Sequence, residues 1–175
     1  MKMKLILFTF TLLVIDIIFA VFTAITESAA FLSLTITAGT FFYHFAMRLL
    51  VGFIVSKHKF DANSVWFTEK PFEKKLYKML KVKKWKNKMP TFAPETFDLS
   101  KHSLEEVIET TCVSEVVHEV IIVLSFVPLL FIIYAGTPAV FIVTSLLAAA
   151  LDGIFVIMQR YNRPRLVKIS KRRKA

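Results

Sequence analysis

The sequence predicts an all-α integral membrane protein: four transmembrane helices arranged as two hairpins, joined by a cytoplasmic segment that carries a short interfacial helix. Apolar residues make up 55% of the 175-residue chain, and its mean hydropathy is +0.59. They gather in four long runs, while lysines and arginines gather between and after those runs. Each run reaches the roughly 20 residues that a helix needs to cross ~30 Å of hydrocarbon. In lipid the runs must be helical, because a lone strand leaves its backbone polar groups unpaired.

The first run, Leu5 to Ile25, is broken only by Asp16. It is longer than the roughly 7–15 residues of a signal-peptide core, and no A-x-A cleavage site follows, so it reads as an anchor. The second spans Ala29 to about Val55 and carries His44 and Arg48 in its latter part. The third runs from about Val116 to Tyr134 and the fourth from Thr137 to Met158. Lys2 and Lys4 precede the first run, and the loop at Glu27 has no basic residue. Residues 57–101 are rich in lysine, the turn Tyr134 to Pro138 is uncharged, and Arg160 to Lys174 contains no acid. The positive-inside rule then places both termini and the middle segment in the cytoplasm of a bacterial-type cell membrane. The expected domains are an N-terminal hairpin (1–56), a connecting segment (57–114), a C-terminal hairpin (115–158) and a basic tail (159–175).

A net charge of +10 does not indicate nucleic acid here. The excess sits beside the apolar runs, where it orients the chain and attracts anionic lipid head groups. The single cysteine, Cys112, excludes an internal disulfide and a cysteine-rich metal site.

In the connecting segment, Pro71 suits a first helical turn, after which Phe72, Leu76 and Met79 or Leu80 share one face. Glu73, Lys74, Lys75 and Lys78 lie elsewhere, the pattern of a helix lying on a membrane surface. Trp85, set among lysines, suits the same interface, and Pro90 and Pro94 predict an irregular loop. Ser103-Leu104-Glu105-Glu106 is a capping box that starts a helix running from the cytoplasm straight into the membrane.

Ionisable groups at membrane depth mark candidate sites. Glu115 and His118 are three apart on one helix face, and a carboxylate beside an imidazole is what a general base needs. His44 and Arg48 share a face of the second run. Asp152, beside the small residues Ala148 to Ala150, can pair with either or line a polar pocket; Asp16 has no evident partner. Gln159-Arg160-Tyr161-Asn162-Arg163-Pro164-Arg165-Leu166 follows the fourth run directly, and its guanidinium forks match phosphate geometry.

The chain resembles the glycosyl-4,4'-diaponeurosporenoate acyltransferases of staphyloxanthin-type carotenoid synthesis. The resemblance rests on three blocks: Val82-Lys83-Lys84-Trp85-Lys86 with the helix before it, Glu109-Thr110 with Glu115 and His118, and Gln159 to Leu166. It covers the second half to two thirds of the chain. It implies transfer of a fatty acyl group from a thioester co-substrate, acyl-CoA or acyl carrier protein, to a hydroxyl of a glycosylated carotenoid or related membrane glycolipid. No bound cofactor is expected. In that reaction His118 takes the hydroxyl proton and Glu115 orients it. Arg163, Arg165 and Arg160 hold donor phosphate or the developing oxyanion, and His44 and Arg48 complete the pocket. Tyr161, Asn162, Glu109 and Trp85 are the remaining expected substrate contacts.

Two other readings fit a small basic membrane protein: a membrane methyltransferase and a non-enzymatic scaffold. The His-x4-Asp motif of soluble-face glycerolipid acyltransferases is absent, since the four histidines are followed at that offset by Leu49, Asn63, Val107 and Val123. No serine elbow, P-loop or zinc-type spacing occurs.

Overall fold

The computed structural model describes residues 2–90 and 93–174, and among them every regular element is helical. The seven α-helices are α1 (Lys2–Thr26), α2 (Ala29–Val55), α3 (Glu73–Met79), α4 (Val82–Trp85), α5 (Leu104–Leu124), α6 (Ile132–Ala135) and α7 (Pro138–Lys174). Four segments are long and apolar enough to span a bilayer: Met3–Thr26, Ala29–Val55, Leu104–Ala135 and Pro138–Arg173. The chain is therefore a multi-pass membrane protein.

Two compact units divide the chain. The first comprises Met1–Phe53 and Val120–Asp152, the second Ile54–Glu119 and Gly153–Ala175. In the first unit, α1 and α2 touch through Phe22–Phe31, Thr23–Thr35 and Phe8–Phe45, so contacts descend α1 as they ascend α2. Hydroxyls of Thr9, Thr23, Thr35 and Thr40 donate to the carbonyl four residues back, which hides these polar groups within apolar helices. Asp16, which had no evident partner, lies against Gly39: a Cβ there would sit 3.3 Å from the carboxylate, so glycine makes its room. Tyr43 donates to the Leu124 carbonyl at 2.8 Å, satisfying an acceptor that the end of α5 leaves open.

The capping box forms as predicted. The Ser103 amide donates to Glu106 Oε2 at 2.7 Å, and the Glu106 amide to Ser103 Oγ at 3.2 Å. From this cap α5 runs without a break from the charged segment into apolar sequence. The predicted third run, Val116 to Tyr134, is divided rather than continuous. Pro128 lacks an amide donor and disfavours helix at the residue before it, so α5 stops at Leu124. A 3-10 turn (Val127–Phe131) and α6 follow, and Gly136, at φ 63°, closes α6 in the left-handed region.

The tail differs from its prediction. Instead of ending near Met158, α7 continues to Lys174 through Pro164. Its 37 residues span about 55 Å, nearly twice the hydrocarbon thickness. A proline inside a helix frees and crowds carbonyls of the preceding turn. Arg165 answers this locally, because Nη1 donates to the Tyr161 carbonyl while the guanidinium lies 3.6 Å from the Tyr161 ring centroid.

The short helix α3 forms where predicted. Glu73 and Tyr77 turn inward, while Phe72 and Met79 stay 66% and 69% exposed. Glu73 turns toward Arg160 of α7. Trp85 is half-buried against the cluster of Tyr77, Val82 and Tyr161. Within the predicted irregular loop, Lys86–Lys88 and Pro94–Phe97 form 3-10 turns; Thr91 and Phe92 lie outside the described residues.

Candidate active site

A buried ionic network lies at the centre of the second unit. Glu115, on α5, is fully buried, and both of its carboxylate oxygens are taken. Arg160 Nη1 donates to Oε1 at 2.6 Å, and Arg163 Nη2 donates to Oε2. The two arginines are three apart on α7, so their side chains leave one face and converge on one carboxylate. Arg163 is 1% exposed and also donates to Thr111 Oγ1 and the Thr111 carbonyl, each at 3.0 Å. Its guanidinium lies 4.7 Å from the centroid of the Phe67 ring. Arg160 reaches further, donating from Nε to Glu73 Oε1 at 2.8 Å and from Nη1 to the Trp66 carbonyl at 3.2 Å. Tyr77 donates to the other Glu73 oxygen at 2.8 Å. Burial, and then the Glu73 carboxylate, push the Tyr77 phenol above its ordinary range.

This geometry changes the part expected of several residues. Glu115 was expected to orient His118, three residues on, but its oxygens go to two arginines instead. A guanidinium fork offers a carboxylate parallel N–H donors, which a single ring N–H cannot match. Arg160 and Arg163 were expected to hold donor phosphate, yet both are neutralised by carboxylates of the chain. Arg165 is occupied by Tyr161. Tyr161 is a core residue set edge-on to Tyr77 at 5.3 Å. Asn162 accepts a bond from Lys86 Nζ at 2.8 Å, and burial and then Arg165 push that ammonium's pKa down. Gln159 reaches Ser114 Oγ at 3.2 Å. The octet that reads as a ligand site is thus a brace that ties α7 to α5, α3 and the lysine-rich turn.

His118 is half-buried, with its ring stacked on Phe155 at 4.7 Å and 11°. Glu109 is half-buried on α5. Trp85 donates from its indole to the Leu80 carbonyl at 2.8 Å. His44 and Arg48 belong to the first unit. There Arg48 donates to the His44 carbonyl at 2.7 Å, to the Ala148 carbonyl at 3.4 Å and to the Asp152 carboxylate. Asp152 thus pairs with Arg48, as the sequence allowed. His44 is 3% exposed, and neither ring nitrogen has a hydrogen-bond partner among the described residues.

Beside the ionic network the second unit carries a half-open groove of about 380 Å³. Lys70, Glu73, Tyr77, Glu119 and Arg160 supply its polar lining, and Phe72, Leu76 and Ile157 its apolar wall. Trp66 completes it: its indole nitrogen donates to Glu119 Oε2 at 3.0 Å, while the residue stays 60% exposed. Trp66 and Glu73 escaped as site residues because their partners, Glu119 and Arg160, lie 53 and 87 residues along the chain. Lys70 and Tyr77 bond within five residues and carry no local signal of a site. Glu119 adjoins His118 in the sequence, but no local signal pairs it with Trp66. Among the described residues, no three His, Cys, Asp or Glu side chains are grouped to hold a metal ion.

Residues 63–172 match the glycosyl-4,4'-diaponeurosporenoate acyltransferase family. No curated protein and no solved structure matches the chain. The matched stretch covers well over half of the 175 residues and includes every member of the ionic network and of the groove. The chain therefore belongs to the glycosyl-4,4'-diaponeurosporenoate acyltransferase family, and is a membrane acyltransferase of carotenoid biosynthesis.

Proposed function

We propose that the protein moves a fatty acyl group from a thioester donor, acyl-CoA or acyl carrier protein, to a hydroxyl of a glycosylated carotenoid or related membrane glycolipid. The observation that carries this reading is the groove: charged groups and an apolar wall meet within the family-matched stretch, as an amphiphilic acceptor requires. Both termini and the segment between the hairpins face the cytoplasm in this proposal, following the basic residues. The exposed Phe72 and Met79 then rest at the membrane surface, with the lysines around them meeting anionic head groups. The bilayer delivers the acceptor and the cytoplasm delivers the thioester.

In the proposed reaction His118 takes the acceptor's hydroxyl proton, the oxygen attacks the thioester carbonyl, and the carbon–sulfur bond breaks. The leaving thiolate recovers the proton. Glu115 and its two arginines act as positioning residues, because a fully buried carboxylate cannot touch a substrate. They hold α5 and α7 in register around the groove.

The test is a lipid profile of cells carrying the wild-type protein against cells carrying His118→Ala, at equal membrane levels. A glycolipid that gains the mass of one fatty acyl group only with the wild type supports the proposal. The same acylated product in both cells removes His118 from it.

A further inference from the structure

We infer that Glu119 and Trp66 form the subsite that holds the sugar head group of the acceptor, and that this groove rejects the phosphate-bearing donor. The inference rests on the acceptor being a glycolipid, as proposed above.

Three observations converge on it. The first concerns which carboxylate is open. Both Glu115 oxygens are held by arginines, and both Glu73 oxygens are held by Arg160 and Tyr77. Glu119 is different. Its Oε2 accepts from Trp66, and its Oε1 makes no hydrogen bond among the described residues. Glu119 is thus the groove carboxylate with an oxygen left for a ligand, and a carboxylate oxygen accepts from hydroxyl donors.

The second observation is the state of Trp66. Its ring edge is pinned by the bond to Glu119, yet the residue remains 60% exposed. A fixed, exposed indole beside a carboxylate offers a flat apolar face next to a strong acceptor. The ring of a sugar presents the complement, with C–H groups on its face and hydroxyls around its edge. Trp66 also sits in a 3-10 turn capped by Ser64 Oγ, which holds the platform in place.

The third observation is charge. The groove's cations, Lys70 and Arg160, are matched by Glu73 and Glu119, and Arg160 is already paired with Glu73 and Glu115. Lys70 Nζ donates to the Val65 carbonyl at 2.7 Å. The charges of the lining already cancel, so a phosphate entering here makes the groove net negative and meets the open Glu119 oxygen, whereas an uncharged polyol meets donors and acceptors together. Phe72, Leu76 and Ile157 continue the groove with apolar surface, which suits the hydrocarbon attached to the sugar.

The experiment uses the full chain in phosphatidylcholine nanodiscs with Trp85→Phe, which leaves Trp66 as the one indole of a chain that has two. Its emission is followed while octyl β-D-glucoside or octyl phosphate is added, each below its micelle concentration and without acyl donor. We expect a saturable shift with the glucoside and an apparent affinity for octyl phosphate at least about tenfold weaker. Glu119→Gln, which keeps the acceptor for Trp66, should weaken glucoside binding about tenfold by removing a charged hydrogen bond. Octyl phosphate binding as tightly as the glucoside overturns the inference. So does a Glu119→Gln protein with an unchanged melting temperature and an unchanged glucoside titration. The comparison of the two probes needs no Glu119 variant, so it decides the matter even if the substitution misfolds. Binding is read here without turnover, so glucoside binding in a protein that fails to acylate would count against the acyl-transfer proposal and not against this subsite.

Discussion

Replacing Glu115 by leucine removes the carboxylate on which two arginines converge, and the structure allows the cost to be worked out. Arg160 keeps Glu73 as a partner, at 2.7 Å from Nη2, and its side chain is 16% exposed. Arg163 has no such reserve. Its side chain is 2% exposed, and its other partners are a hydroxyl and backbone carbonyls, all neutral. Glu115→Leu therefore leaves a guanidinium charge buried without a counter-ion, which costs about 3–5 kcal/mol. In a chain of this size that corresponds to a fall in melting temperature of about 6–20 °C. Arg163→Met in the same background removes the stranded charge, and replacing both members of a buried pair by apolar groups is far milder than removing one. The double variant should thus melt above the Glu115→Leu single variant. The assay is thermal unfolding of the purified full chain in one detergent, followed by far-UV circular dichroism. A Glu115→Leu protein that melts with the wild type, or a double variant that melts below the single one, refutes the reasoning.

Arg48→Lys keeps the charge but loses the fork that reaches the His44 carbonyl, the Ala148 carbonyl and Asp152 together. It should lower stability by about 1–3 kcal/mol, read as a lower melting temperature, and Arg48→Leu should lower it more. Tyr77 gives a pH signature. Its phenol holds its proton more tightly in the folded state than in the unfolded chain, so its contribution is complete below pH about 10 and is lost as pH rises toward the higher folded value. Wild-type melting temperature should fall more steeply than that of Tyr77→Phe from about pH 10 upward; parallel curves would contradict this. Ser103→Ala opens the capping box and should cost about 1 kcal/mol of stability while leaving acyl transfer intact, which parallel melts and turnover assays would check.

Local signals in the sequence located most of the helices. Hydropathy alone set α2 at Ala29–Val55 and placed α1 within three residues at its start, because apolar run length is a one-dimensional property. The cap at Ser103 was equally visible, since its two partners lie three residues apart. The site was legible only in part. Glu115 drew attention as an ionisable group in an apolar run, but the partner chosen for it was the nearby His118. The actual partners, Arg160 and Arg163, are 45 and 48 residues away, and no periodicity reports such a pairing. Glu73 was read as a polar residue on a surface helix for the same reason: Arg160 is 87 residues away. The continuation of α7 past Met158 was missed because Pro164 and dense charge both argue against helix. Arg165 folding back on Tyr161, and Arg160 and Arg163 pairing with Glu73 and Glu115, are tertiary effects that override that local signal.

Acyl transfer itself is tested most directly with the purified full chain in liposomes, supplied with a glycosylated carotenoid acceptor and a thioester whose acyl group is isotopically labelled. Acyl-CoA and acyl carrier protein are offered in separate reactions. Label is expected to enter the glycolipid as an ester while free thiol appears in equal amount, with at least one of the two donors. Thiol release without labelled glycolipid, or no transfer from either donor by protein that is folded in the membrane, would contradict it.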